Sequence, residues 1–171
     1  MASSASLQAT EILDRLRAQF GDDLSETRDS HGQATARVSV ARYRELVTAL
    51  RDDADLAFDF FDFVTAVDRL EEGFDVVVQL FSTTRRHHVR IKVGTSRDEP
   101  RVPTISDLYA GANWHERETW ELFGIHFEGH PQLVRLVLPE QFEGFPGRKD
   151  FKLMTRIAKP WPGAEQGEEE A

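Results

Sequence analysis

The chain has 171 residues, 40% of them apolar and 30% charged, with 12 Phe, which suits one buried core with attachments and is short for two full domains. It contains no cysteine, which excludes a disulfide scaffold, a thiolate nucleophile and any iron–sulfur cluster or zinc ion held by Cys in this chain. Lys and Arg total 21 against 30 Asp and Glu, a formal charge of −9, and this argues against a general nucleic-acid binder because phosphate affinity comes from cation density.

Part of the acidic excess sits at the end of the sequence, in Glu165, Glu168, Glu169 and Glu170. Apolar stretches are short and broken by charge, as in Phe74 to Phe81 with Asp75 and Gln79, and none approaches the ~20 residues of a membrane helix. Residues 1–7 lack the basic and apolar regions of a secretory signal. Membrane association is therefore expected only through a partner.

Residues 7–20 read as an amphipathic helix: Leu7, Ile12, Leu13, Leu16 and Phe20 recur at helical spacing, Ser6 is placed to cap the start and Gly21 to end it. Leu24 to Arg28 is a weak strand. Ser30-His31-Gly32 is a turn signal, and Ala34, Ala36, Val38 and Val40 alternate with polar residues, so the pair reads as a hairpin. Residues 42–52 form a second helix with Tyr43, Leu46, Val47 and Leu50 on one stripe. In 56–67 the apolar residues fall on both parities (Phe61, Phe63 and Val67 against Phe58, Phe60 and Val64), which predicts a central strand covered on both sides. Phe74 to Ser82 and Val89 to Val93 are two more strands, the second with the alternation of an outer strand with one wet face.

The order helix, two strands, helix, three strands gives an α+β, two-layer core domain over residues 1–94. Residues 95–138 follow as a connector, a helix and a turn. The helical region begins near Ser106 and is interrupted by Gly111. Asn113 with Glu116 has the chemistry of a capping box, and Gly124 closes the helix. Phe127 to Pro131 is a turn and Leu133 to Leu138 a short apolar run.

Residues 139–171 hold four prolines and four glycines and keep no regular period, yet include Phe142, Phe145, Phe151, Leu153, Met154, Ile157 and Trp161. Ordering such a segment costs backbone entropy that its own few apolar side chains do not offset. It reads either as mobile with exposed aromatics, or as an extended arm laid along a surface; its own domain could supply some of that surface, and a second protein is the better guess. Its acidic end is expected to be mobile.

Catalytic signatures are scarce. His115-Glu116 starts like a zinc-binding helix, but the motif needs His at 119 and Thr stands there. His126 and His130 are four apart, with Gly129 and Pro131 against a helix, so turn-stabilising rings compete with a metal site. His87 and His88 would point to opposite faces of a strand. Glu118 and Glu121 at i, i+3 could serve acid–base chemistry in a free-standing hydrolase; the structural alternative pairs Arg117 with Glu121 and lets Glu116 cap its own helix. The basic run 85–92 could meet nucleic acid, anionic lipid or an acidic protein surface, or simply be a solvated hairpin face. No GxGxxG, GxxxxGK[ST] or GxSxG occurs. The residues thus favour a subunit or adaptor over a free-standing enzyme.

The segment Ala112-Asn113-Trp114-His115-Glu116-Arg117-Glu118-Thr119-Trp120-Glu121-Leu122-Phe123-Gly124-Ile125 is the most specific feature. With Phe127-Glu128-Gly129-His130-Pro131, Leu133, Arg135 and Arg148-Lys149-Asp150, it strongly resembles the signature of the 30 kDa subunit of NADH:quinone oxidoreductase (respiratory complex I). Related subunits serve membrane-bound hydrogenases and other quinone- or phenazine-linked dehydrogenases. Two positions depart from the family pattern: Glu121 stands where Asp is usual, and Gly147 where Leu usually precedes Arg-Lys-Asp. The segment Lys159-Pro160-Trp161-Pro162-Gly163 resembles the tail of some bacterial members.

The resemblance implies a two-layer domain with a mixed sheet. It implies a cofactor-free component of the hydrophilic arm, peripheral on the cytoplasmic side of the cell membrane, while FMN and iron–sulfur clusters sit in partner subunits. The implied partners are the quinone-site subunit, which resembles a hydrogenase large subunit, and the iron–sulfur subunits; no nucleic acid is implied. The residues it marks are interface and structural ones: Glu116, Arg117, Glu118, Trp120, Glu121 and Phe123 on the helix, then His130, Arg135, Arg148, Lys149, Asp150 and Trp161.

Overall fold

The computed structural model describes residues 6–152. Helix α1 (Ala9–Phe20) leads into a hairpin of β1 (Leu24–Ser30) and β2 (Gln33–Val38), followed by α2 (Val40–Asp52) and the strands β3 (Phe60–Asp68), β4 (Phe74–Phe81) and β5 (His88–Thr95). Then come β6 (Arg101–Pro103), α3 (Ala112–Phe123) and β7 (His126–Glu128). The five long strands form one sheet in the order β1-β2-β5-β4-β3, with β2 and β5 parallel and the other pairs antiparallel. The sheet is therefore mixed and the fold α+β, as expected. The short pair β6-β7 is parallel.

One face of the sheet holds the core. Ala36, Ile91, Val78 and Val64 lie side by side across β2, β5, β4 and β3, all buried. Onto this face pack Ile12, Leu13 and Leu16 of α1, and Tyr43, Leu46, Val47 and Leu50 of α2. Helix α3 joins the same layer: Phe123 meets Phe74 edge-on at 6.4 Å, and His115 meets Phe61 at 5.3 Å. No helix of the described residues packs on the opposite face, where Arg37, Lys92, Val77 and Thr65 share a row.

Two strand expectations are corrected. The segment expected to be a central strand is β3, an edge strand. Its register against β4 shifts between Phe61 and Phe63, so Asp62 is an extra residue, a bulge that reverses the facing of everything after it. Phe61 and Val64 consequently share the core face despite opposite parity, and Phe60 and Phe63 share the other. The strand expected to lie outside, β5, is the middle strand; its alternation of Val89, Ile91 and Val93 with half-buried Arg90 and Lys92 reflects one helix-free face, not an edge.

Helix starts also differ from expectation. Helix α1 is capped at Gln8, whose N–H donates to Glu11 Oε2 at 2.7 Å, while Ser6 Oγ donates to the Arg86 carbonyl. Helix α3 begins earlier than a cap at Asn113 requires, with Gly111 in the cap position and Asn113 already inside the first turn. It ends as expected at Gly124, whose φ of 75° is left-handed backbone, and the Gly124 N–H closes on the Trp120 carbonyl at 2.8 Å.

Candidate interaction site

Helix α3 is the organising element of the second half of the chain, and its polar side chains reach outward from its own axis rather than pairing along it. Glu116 does not cap its own helix. Its carboxylate is completely buried and accepts the Ile105 N–H at 2.7 Å and the Thr104 hydroxyl, tying α3 to the segment after β6. Burial pushes its pKa up to about 7, against the lowering effect of those two donors. His130 approaches it to 3.9 Å through Nε2. That ring accepts the Gln132 N–H at Nδ1, which leaves Nε2–H to donate to the Asn113 carbonyl at 3.2 Å. Burial and the nearby Arg117 charge both favour the neutral ring, so the Glu116–His130 approach is not an ion pair.

Arg117 and Glu121 likewise do not pair with each other. Together they clamp one loop. Arg117 donates through Nε to the Val134 carbonyl at 2.9 Å and through Nη2 to the Arg135 carbonyl at 3.0 Å. One turn along, Glu121 accepts the N–H groups of Leu136 and Val137 at Oε2, 2.9 and 2.8 Å, and of Leu138 at Oε1, 2.8 Å. Burial alone would raise its pKa, but the three amides and the Arg135 charge bring it below the ordinary glutamate value. The apolar run 133–138 is thereby an irregular loop, and one helix face meets the carbonyls of Val134 and Arg135 and the N–H groups of Leu136, Val137 and Leu138.

Further pins continue the chain. Arg135 donates to the carbonyls of Pro139 and Phe142 at 3.1 and 2.9 Å. Arg148 donates to the Phe123 carbonyl at 2.7 Å, at the C-terminal end of α3, and lies over the Phe145 ring at 4.4 Å. The Lys149 N–H donates to Asp68 Oδ2 at 2.8 Å, and Asp150 accepts from Arg97 at 2.7 Å. Gly147 stands where Phe123 fills the space: a Cβ there would lie 2.8 Å from the ring and 3.0 Å from the Leu122 carbonyl. Residues 139–152 are held in part by this chain's own α3, Asp68 and Arg97. The backbone, not side-chain burial, makes most of these contacts, which is why an apolar inventory underestimates them. Trp161 and the acidic end lie outside the described residues.

The clamp leaves several side chains of α3 and the loop exposed. Trp114 is 61% exposed, with the Arg117 guanidinium 5.7 Å from its ring centre. Val134 and Val137 are exposed on the clamped loop. Glu118 is exposed and makes no hydrogen bond or ion pair among the described residues. Trp120 and Phe123 are half-buried against the core, as anchors. Sequence reasoning missed Asp68, Arg97 and Thr104. Asp68 is buried and collects Arg97 and the N–H groups of Leu70 and Lys149, but no local spacing signals partners 29 and 81 residues away. Glu118 and Glu121 do not face a common cleft, since Glu121 is occupied by three amides. Among the described residues no group of three or more His, Asp or Glu is placed to hold a metal, and no helix is long and apolar enough to cross a membrane.

Fold and site together define a two-layer α+β protein whose most elaborate polar cluster shapes a surface. Residues 36–157 match the family described as respiratory-chain NADH dehydrogenase, 30 Kd subunit, and the chain belongs to that family. An NADH-quinone oxidoreductase subunit from Roseiflexus sp. (strain RS-1) is 41% identical over 149 residues, 86% of each chain. A solved trypsin-resistant fragment of Nqo5 superposes with a TM-score of 0.63 at 27% identity, over 74% of this chain and all of that one. A chain of a membrane-bound sulfane sulfur reductase, an archaeal respiratory membrane complex, gives 0.73 at 25% identity, over 85% and 86%.

Proposed function

We propose that the chain is a cofactor-free, peripheral-arm subunit of a proton-translocating NADH:quinone oxidoreductase, on the cytoplasmic side of the membrane. In this reading it scaffolds the quinone-site subunit and lies near the iron–sulfur subunits, while flavin and clusters in those partners carry electrons from NADH to quinone. The observation that carries the reading is the clamp of Arg117 and Glu121 on residues 134–138. It commits charged side chains to fixing the shape of a loop that presents Val134 and Val137 to the outside, while α3 itself exposes Trp114 and Glu118, as an interface requires. The absence of cysteine from the sequence agrees with clusters held elsewhere.

The likeness to the sulfane sulfur reductase chain favours one second reading, the equivalent subunit of a membrane-bound hydrogenase or another quinone-linked dehydrogenase. Purification of the native assembly separates the two. The first reading expects flavin and iron–sulfur absorbance and NADH oxidation coupled to quinone. An assembly that ignores NADH but accepts another donor supports the second, and a chain recovered alone contradicts both.

A further inference from the structure

The sheet face opposite the helices is divided by charge. On its β1-β2-β5 side, Arg28, Thr35 and Arg90 form one row and Glu26, Arg37 and Lys92 the next. On its β4-β3 side those rows continue as Gln79 and Phe63, and as Val77 and Thr65. Arg37 is neutralised by Asp75 at 2.6 Å and approached by Glu26 at 3.8 Å. Arg90 only touches the neutral Gln79, and Arg28 and Lys92 have no hydrogen bond or ion pair among the described residues. On a chain of formal charge −9, this face therefore presents cations without counterions. Across β4 from them, on the edge strand β3, Phe60 is 50% and Val67 45% exposed.

We propose that this face docks an acidic surface of a neighbouring subunit. Carboxylates of that neighbour meet Arg28, Arg90 and Lys92, and an apolar element of it covers Phe60, Phe63 and Val67. The inference rests on the reading of the chain as a subunit of a larger assembly and adds a second contact face, on the other side of the sheet from α3. A second copy docked face to face would oppose like charges, which disfavours it. Three cations are few for a polyanionic nucleic acid held by a net acidic chain. Five strands about 4.8 Å apart and about seven residues long give a face of about 500 Å², less than the roughly 800 Å² per partner of a free-standing complex. The contact is thus one among several in the assembly, setting orientation and register more than total affinity.

Zero-length carbodiimide coupling of the native assembly, read by mass spectrometry, tests this directly because it joins an amine to a carboxylate in contact. The lysines of the chain are Lys92, Lys149, Lys152 and Lys159, so the Lys92 link is assignable. The expected result is Lys92 linked to an Asp or Glu of another subunit, lost in Lys92→Arg. The double variant Arg90→Glu, Lys92→Glu should keep its circular dichroism and melting profile while its share in the assembly falls about tenfold. Lys92 linked only to this chain, Glu165 to Glu170 included, or to a second copy would overturn the proposal. So would unchanged incorporation of the double variant, or RNA recovered on the face. A wild-type chain recovered outside any assembly overturns the functional reading and this inference with it. A wild-type chain within the complex whose Lys92 still acetylates freely overturns this inference alone.

Discussion

Glu116 and Glu121 stand five residues apart on one helix and respond to pH in opposite directions. Glu116 is pushed up to about 7 by burial, from an ordinary 4.5, so the folded state holds its proton where the unfolded chain has lost it. Its linkage to folding contributes stability that is full below about pH 4.5 and declines progressively up to about 7, by on the order of 3 kcal/mol. Replacing it by Gln should flatten that decline when unfolding free energy is followed from pH 5 to 8; parallel profiles for the two proteins would show that Glu116 carries no such linkage. Glu121 has the reverse sign. Its lowered pKa makes its contribution present above the ordinary value and lost as acid protonates the folded carboxylate. Glu121→Ala should cost about 1–3 kcal/mol at neutral pH, because the N–H groups of Leu136, Val137 and Leu138 lose their acceptor. Hydrogen exchange at those three amides should accelerate selectively, and unaltered protection there would show that the loop holds its shape without the clamp.

At the scale of elements, the joint between α3 and the following chain is close-packed at one point. Gly147→Leu should destabilise by about 1–3 kcal/mol, because its Cβ falls within contact limits of the Phe123 ring. Combining it with Phe123→Ala should recover part of that loss, read as a favourable coupling in denaturant midpoints; strict additivity would mean the ring is not the obstacle. The same region shows what sequence made legible. The helices and five main strands stand in the expected order, because each has a local period: Tyr43, Leu46, Val47 and Leu50 in α2, and Val89, Ile91 and Val93 in β5. Position within the sheet was not legible. A single bulge at Asp62 makes an edge strand look apolar on both sides, and a bare face looks like an edge in the alternation of β5. The three-residue strands β6 and β7 carry no period at all, since their pairing joins Arg101 to His126 and Val102 to Phe127 across the whole of α3. Within the site, the residues were legible from the signature and the bonds were not. Glu116, Arg117 and Glu121 are met by Thr104, Ile105 and residues 134–138, and nothing in i, i+3 or i, i+4 spacing points there.

Across the whole molecule, one sheet divides two surfaces of different construction. On the helical side, charged residues are turned inward onto backbone, and the outside is left to Trp114, Val134, Val137 and Glu118. On the bare side, unneutralised cations and phenylalanines are shown directly. Both surfaces fit the proposed place of the chain between neighbouring subunits. Glu118 offers the cleanest probe of that claim, since it makes no bond within the described residues and its removal should leave the fold intact. In cells carrying Glu118→Ala, assembled complex and NADH:quinone turnover should be quantified together. Assembled complex is expected to fall, with turnover per assembled complex unchanged; normal amounts of complex with turnover lost would contradict a role in assembly.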